Sequence, residues 1–165
     1  MSCMQNLGYP ISPDDRACFF GLREKTSILG ALQEEQIETL LSVMEVRSYD
    51  DQESVFLSGD PACAIYIVLK GKICLDFGED NHPLSDIEFS PGECFGETSV
   101  IGIQPHSATA TAAGPVRLIT LSSSSLYTLY ASDTALFAML ILNVAREASR
   151  RLHQTDSLFL SYLKK

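Results

Sequence analysis

Pro91-Gly92-Glu93-Cys94-Phe95-Gly96-Glu97-Thr98-Ser99-Val100-Ile101, followed by Pro105-His106-Ser107-Ala108-Thr109, is the stretch on which the reading of this chain turns. Pro91-Gly92 opens it with a turn signal. Gly96 has no Cβ, so backbone there can approach a ligand closely. Residues 97–101 predict the start of a short helix, whose first N–H groups would point at an anion. Ser107 to Ala112 alternates alanine with small hydroxyl residues, the pattern of a strand with one tightly packed face. Gly114-Pro115 is expected to end that strand, and Val116–Leu121 to form the next.

On the N-terminal side the pattern is again one of short strands. Val46–Tyr49 and Ser54–Leu57 are separated by the turn signal Asp50-Asp51. Ala64–Leu69 and Lys72–Phe77 flank Lys70-Gly71, which predicts a tight hairpin. A strand at Leu84–Phe89 follows the polar loop Gly78–Pro83. Many short strands with frequent turn signals predict an antiparallel barrel or jelly roll.

Helices flank the strands. Ile37, Leu40, Leu41 and Met44 form one apolar stripe at helical spacing. Before them, residues 1–26 read as an arm of low regularity, broken by Pro10, Pro13 and Gly21. One serine of Ser122–Ser125 is expected to cap a helix holding Leu126, Leu129 and Tyr130. Ser132 or Asp133 then caps a long helix over about Thr134–Leu163, a rod of roughly 45 Å at 1.5 Å per residue. Its first half is apolar nearly all round, from Leu136 to Ala148. One side would face the barrel, and a second copy of the same helix is the simplest cover for the other.

The 165 residues carry a net charge of −9, which argues against a surface that holds nucleic acid or anionic membrane. The longest apolar run, Phe137–Leu142, is far short of the roughly 20 residues a membrane helix needs. The five cysteines form no C-x-x-C pair, which excludes zinc-ribbon and thioredoxin-like sites. They are expected as reduced thiols in a cytoplasmic protein, with Cys74 and Cys94 as small core residues. His82, His106 and His153 are too scattered for a metal enzyme on a jelly roll.

Two motifs carry a resemblance. The first is Gly59-Asp60-x-Ala62-x-x-x-Tyr66-Ile67-Val68-x-x-Gly71-x-Ile73; the second is the 91–109 stretch above. Together, over about residues 28–153, they resemble the cyclic-nucleotide-binding domains of the catabolite-activator and kinase A regulatory-subunit type. The resemblance implies a mainly β fold with flanking helices: an antiparallel β jelly-roll barrel (a double-stranded β-helix) with an N-terminal helix and a long C-terminal helix. It divides the chain into an N-terminal arm (1–26), a cyclic-nucleotide-binding-like β-barrel (27–133) and a C-terminal dimerisation or lid helix (134–165).

The resemblance also implies a site at Gly96, Glu97, Thr98, Ser99, His106 and Ser107. Glu97 would accept from a ribose 2′-hydroxyl. The N–H of Thr98 or Ser99 would donate to a cyclic phosphate, and Ser107 would add a hydroxyl or N–H donor. Where the family has a phosphate-pairing arginine, this chain has His106. Arginine gives a permanent two-pronged contact, whereas histidine has shorter reach and a reference pKa of about 6.5. Losing one partner of a desolvated ion pair costs about 2–5 kcal/mol, roughly 30-fold to several-thousand-fold in affinity. His106 reads first as a neutral loop residue, then as a protonated phosphate partner, and last as the mark of another ligand. Arg150, Arg151, Thr155 and Asp156 lie where the family's helix can lid the base, though a solvated or dimer-facing patch suits such residues as well.

Two functions therefore stand. One is a non-enzymatic regulatory module that senses cAMP, cGMP or a related anion and tilts its C-terminal helix. The other is a degenerate module of the same fold, binding no nucleotide and acting as a dimeric interaction scaffold. No cofactor is expected beyond such a ligand. The expected partners are the ligand and a second copy through the C-terminal helix. DNA binding would need a helix-turn-helix after the long helix and is not expected.

Overall fold

Two long bent strands frame the molecule, in which the computed structural model describes residues 8–78 and 87–163. β1 is Glu45–Tyr49, β2 Ser54–Phe56, β3 Ala64–Asp76, β4 Ile87–Phe89, β5 Cys94–Phe95 and β6 Thr109–Ser122. β3 and β6 pair antiparallel along their whole length, from Ala64–Ser122 to Asp76–Thr109. β1 and β2 add to β6, and β4 and β5 add to β3, all antiparallel.

The hairpin expected at Lys70-Gly71 is not there: β3 runs straight through it, with the register shifting between Val68 and Lys72. Gly71 has φ +83°, and a Cβ on it would sit 2.5 Å from the Pro115 carbonyl oxygen. Gly114-Pro115 likewise does not end β6, which continues to Ser122. These residues form a bulged bend in both strands, where proline's missing N–H and glycine's positive φ are tolerated. The ladder runs β1-β6-β3-β4 and is open among the described residues, so the expected barrel closure is not seen. Among the described residues β4 is three residues long and pairs with β3. The expected strand residues Leu84–Asp86 lie outside the described residues, as do His82 and Cys3.

Ala64–Leu69 is a continuous apolar run because both its faces are buried. Ile65, Ile67 and Leu69 face one cluster with Ile119, Leu121 and the helices. Ala64, Tyr66 and Val68 face a second cluster with Phe56, Phe89, Phe95 and Leu118, inside the curl of the sheet.

Residues 13–21 form a helix, α1 (Pro13–Gly21), where the sequence reads an irregular arm. Pro13 breaks nothing, because it occupies the first turn, and Ser12 and Asp15 form a capping box ahead of it. Two short 3-10 turns lead to α2 (Glu34–Leu41), which buries Ile37, Leu40 and Leu41 as its stripe predicts. α3 is Glu97–Gly102 and α4 is Ser123–Ser132, capped by Ser122. α5 is Thr134–Leu163, with Asp133 Oδ1 accepting from Leu136 N at 2.9 Å. Leu136, Leu140 and Val144 bury one face of α5. Asn143 hooks it to the N-terminal segment, donating to the carbonyls of Ile28 and Gly30 at 3.1 and 2.7 Å.

Cys63 is disulfide-bonded, which corrects the expectation that all the thiols are reduced. Cys18 and Cys94 carry free thiols, with Cys94 buried, and Cys74 is half-buried. No helix among the described residues is long and apolar enough to cross a membrane.

Candidate functional site

The two motifs meet at His106. Its N–H donates to the Asp60 carbonyl at 2.9 Å, and its carbonyl accepts from Gly59 N at 2.8 Å. The Gly59-Asp60 turn thus holds the loop that carries the histidine. The His106 ring is buried, at 3% exposure, and lies flat on Phe56 with centroids 3.5 Å apart and 6° between planes. Its Nε2 has no hydrogen-bond partner among the described residues. Burial lowers its pKa below 6.5, partly opposed by Asp60, so the ring is neutral at pH 7.

Across from it, Gly96 turns the chain into α3 at φ +81°. A Cβ there would meet the Ala64 carbonyl oxygen at 3.0 Å and the Tyr66 ring at 3.1 Å. Tyr66 is itself held by stacking on Phe95, with centroids 5.1 Å apart. The glycine is therefore required by packing alone. α3 ends at Ile103, a β-branched residue in the left-handed region (φ 52°, ψ 46°). That conformation costs about 1–2 kcal/mol in a non-glycine residue.

Glu97 is fully buried. Its Oε1 accepts from Arg151 Nη1 at 2.7 Å, while its Oε2 has no partner among the described residues. Burial raises its pKa above 4.5, against the pull of Arg151. Arg151, on α5, also donates to Glu147 Oε1 at 2.8 Å and to the Cys94 carbonyl at 2.5 Å. Its guanidinium lies over the Phe89 ring, 5.1 Å from the centroid. Every branch of Arg151 is thus engaged, and the 91–109 stretch (the cassette) is tied to the C-terminal helix.

The sequence left Arg151 among four residues of a lid or solvated patch. Of these, it alone reaches the cassette. Arg150 pairs with Glu147 and is exposed, the Thr155 hydroxyl donates back to the Arg151 carbonyl, and Asp156 is exposed. The spacing Glu147 to Arg151 does signal a helix ion pair, but not its aim. Arg117 is consumed elsewhere, in a two-pronged bond to Asp15.

Five of the six expected residues surround one cavity: Gly96, Thr98, Ser99, His106 and Ser107, with Phe56, Leu75 and Ala108. Glu97 does not line it. The cavity measures about 50 Å³, room for one or two waters at roughly 30 Å³ each. Ligand pockets ordinarily run to about 300–1,000 Å³. No Lys or Arg lines it. No group of three His, Cys, Asp or Glu among the described residues is placed to hold a metal ion.

Comparison with known proteins agrees with the fold. The sequence model of the cyclic nucleotide-binding domain matches residues 46–133, just over half of the chain. The cyclic AMP receptor protein of Thermus thermophilus is 29% identical over 128 residues, covering 76% of this chain and 56% of that protein. The cAMP-dependent protein kinase regulatory subunit of Dictyostelium discoideum is 28% identical over 102 residues, 59% of this chain and 31% of that protein. The chain thus spans about a third to a half of the length of these relatives. A cyclic nucleotide-binding domain from Methylobacillus flagellatus superposes with a TM-score of 0.79 at 22% identity, over 95% of this chain and 88% of that one.

Proposed function

This chain belongs to the cyclic nucleotide-binding domain family, and we propose that it is a regulatory module that reads cAMP, cGMP or a related small anion at Gly96–Ser107 and reports it through helix α5. The observation that carries this reading is the half-satisfied Glu97. A buried carboxylate oxygen without a donor is unfavourable. A sugar hydroxyl entering the cassette would donate to Oε2 and relieve it. Because Oε1 is bound to Arg151, any shift of Glu97 toward the ligand pulls on α5. His106 Nε2, also without a partner, would take up a proton and face the ligand's phosphate. Admitting the ligand requires the ring to leave Phe56, because the 50 Å³ cavity is too small for a nucleotide. The described conformation is thus the closed one, and a ligand acts by favouring an open one.

One observation favours the second reading, a module that binds no nucleotide and serves as a scaffold. That is the neutral, stacked His106, which fills its own site. Calorimetric titration of cAMP and cGMP into the wild type and His106→Arg separates the two. The sensor reading expects weak wild-type binding and a gain of roughly 30-fold or more in the variant. Wild-type binding should also tighten as pH falls below 7 and His106 takes up its proton. No binding by either protein leaves the scaffold.

Both readings use a second copy. The exposed positions Ala138, Leu142, Ala145, Ser149, Leu152, Asp156 and Phe159 follow one another at alternating steps of four and three. That is a heptad seam along the outer face of α5. Sedimentation equilibrium is the check on the dimer.

A further inference from the structure

A groove of about 660 Å³ lies on the outer side of the cassette. Val100, Ile101 and Ile103 form one wall; Tyr127 and Tyr130 of α4 and Phe137 of α5 form another. We propose that this groove is a second binding site, for a neutral apolar small molecule.

Three observations support the assignment. The first is size: the volume falls within the roughly 300–1,000 Å³ of small-molecule pockets. The second is chemistry. Among the described residues no Asp, Glu, Lys, Arg or His lines the groove, in a chain that carries 33 Asp, Glu, Lys and Arg residues. Nothing there holds an ionic ligand, and the Gln104 amide and the tyrosine hydroxyls are available to orient a neutral one. The third is strain. Ile103 is 92% exposed and sits in the left-handed region, so it is unfavourable both as a backbone and as a side chain. Among the described residues the isoleucine side chain is left uncovered, whereas an apolar ligand would cover it. Tyr127 and Tyr130 are also exposed, and they meet each other and Phe137 ring to ring. A second copy on the α5 seam would not fill the groove, because none of Ala138, Leu142 or Ala145 lines it.

The test is titration with N-phenyl-1-naphthylamine, a neutral probe that fluoresces in apolar surroundings. Its anionic relative 8-anilinonaphthalene-1-sulfonate serves as the charge control. Saturable one-site binding of the neutral probe, stronger than that of the anion, is expected. Tyr127→Glu, which sets a charge at an exposed position, should weaken it at least tenfold. Ile103→Asn should weaken it several-fold with thermal stability unchanged or raised, which separates loss of the site from loss of the fold. The proposal is overturned if the wild type gives no saturable signal, or if both variants bind as the wild type does. It is also overturned if Tyr127→Glu converts a wild-type dimer into a monomer, since a second copy then covers the groove. None of these readouts depends on whether the cassette binds a cyclic nucleotide.

Discussion

Two buried carboxylates in this molecule are each gripped by an arginine from far along the chain, and they are gripped differently. Asp15 on α1 takes Arg117 of β6 with both oxygens, at 2.5 and 2.6 Å, and Ser12 adds its hydroxyl. Burial raises its pKa, but the bonds from Arg117 and Ser12 outweigh it, and the net shift is downward from 3.8. Glu97 takes Arg151 with one oxygen only, keeps the other bare, and has its pKa raised. The N-terminal clamp is complete. The cassette is not: it holds a half-bonded carboxylate, a histidine nitrogen without a partner and a strained isoleucine. Strained backbone and unpartnered buried groups cluster at sites that bind or move, although Arg47 Nε and Thr120 Oγ1 in the sheet are also without partners among the described residues.

The largest expected effect breaks the clamp. Arg117→Ala removes the cation from a buried carboxylate that still accepts from Ser12. Breaking a buried pair costs about 3–5 kcal/mol, and the lower end, about 3 kcal/mol, applies because Arg117 is 38% exposed. Arg151→Gln should cost less, about 1–2 kcal/mol at pH 7. Glu97 is already biased toward its neutral acid and can take up a proton, at about 1.4 kcal/mol per pKa unit. Urea denaturation of the two variants reads the contrast directly. Equal losses would erase the distinction between a structural pair and a poised one.

The same contrast predicts opposite pH slopes. Asp15 has a folded pKa below its unfolded value of 3.8. Its contribution is present above that value and is lost as pH falls through the folded one. Glu97 has a folded pKa above its unfolded value of 4.5. Its folded form holds the proton longer, so stability declines as pH rises from about 4.5 through the raised value. Asp15→Asn should flatten the acid limb below pH 3.8, and Glu97→Gln should flatten the limb above pH 4.5. Denaturation midpoints measured across this range check both. A Glu97→Gln profile identical to the wild type would mean that the buried carboxylate is not strained by its surroundings.

How much of this was legible in the sequence follows from how local each feature is. The α2 stripe, the two helix caps and the cassette helix depend on residues within a turn of one another: Ile37, Leu40 and Leu41 fall on α2, with Met44 buried just beyond its end, and Ser122 and Asp133 are the caps among the candidates read. Lys70-Gly71 was misread because a glycine with positive φ serves a strand bulge as well as a hairpin turn. The difference is set by β6, some 45 positions away. Pro13 was misread as a breaker because its effect depends on whether it falls first or later in a helix. Within the site, the cluster of Gly96, Thr98, Ser99, His106 and Ser107 was accessible from the motif. Two facts were not: that His106 would stack on Phe56, and that Arg151 of α5 would reach Glu97. Both join residues about 50 positions apart, and no local pattern encodes them.

The smallest expected effect isolates strain from charge. Ile103 ends α3 in a conformation that asparagine adopts readily and a β-branched side chain does not. It is 92% exposed, so no internal packing is lost when it is replaced. Ile103→Asn should therefore stabilise the protein by about 1 kcal/mol, near the low end of the left-handed penalty. For a domain of this size that is a rise in melting temperature of about 2–4 °C. Calorimetry on the wild type and the variant measures it. A fall instead of a rise would mean that Ile103 already makes a stabilising contact in solution. The closed cassette would then be better satisfied than the clamp comparison makes it.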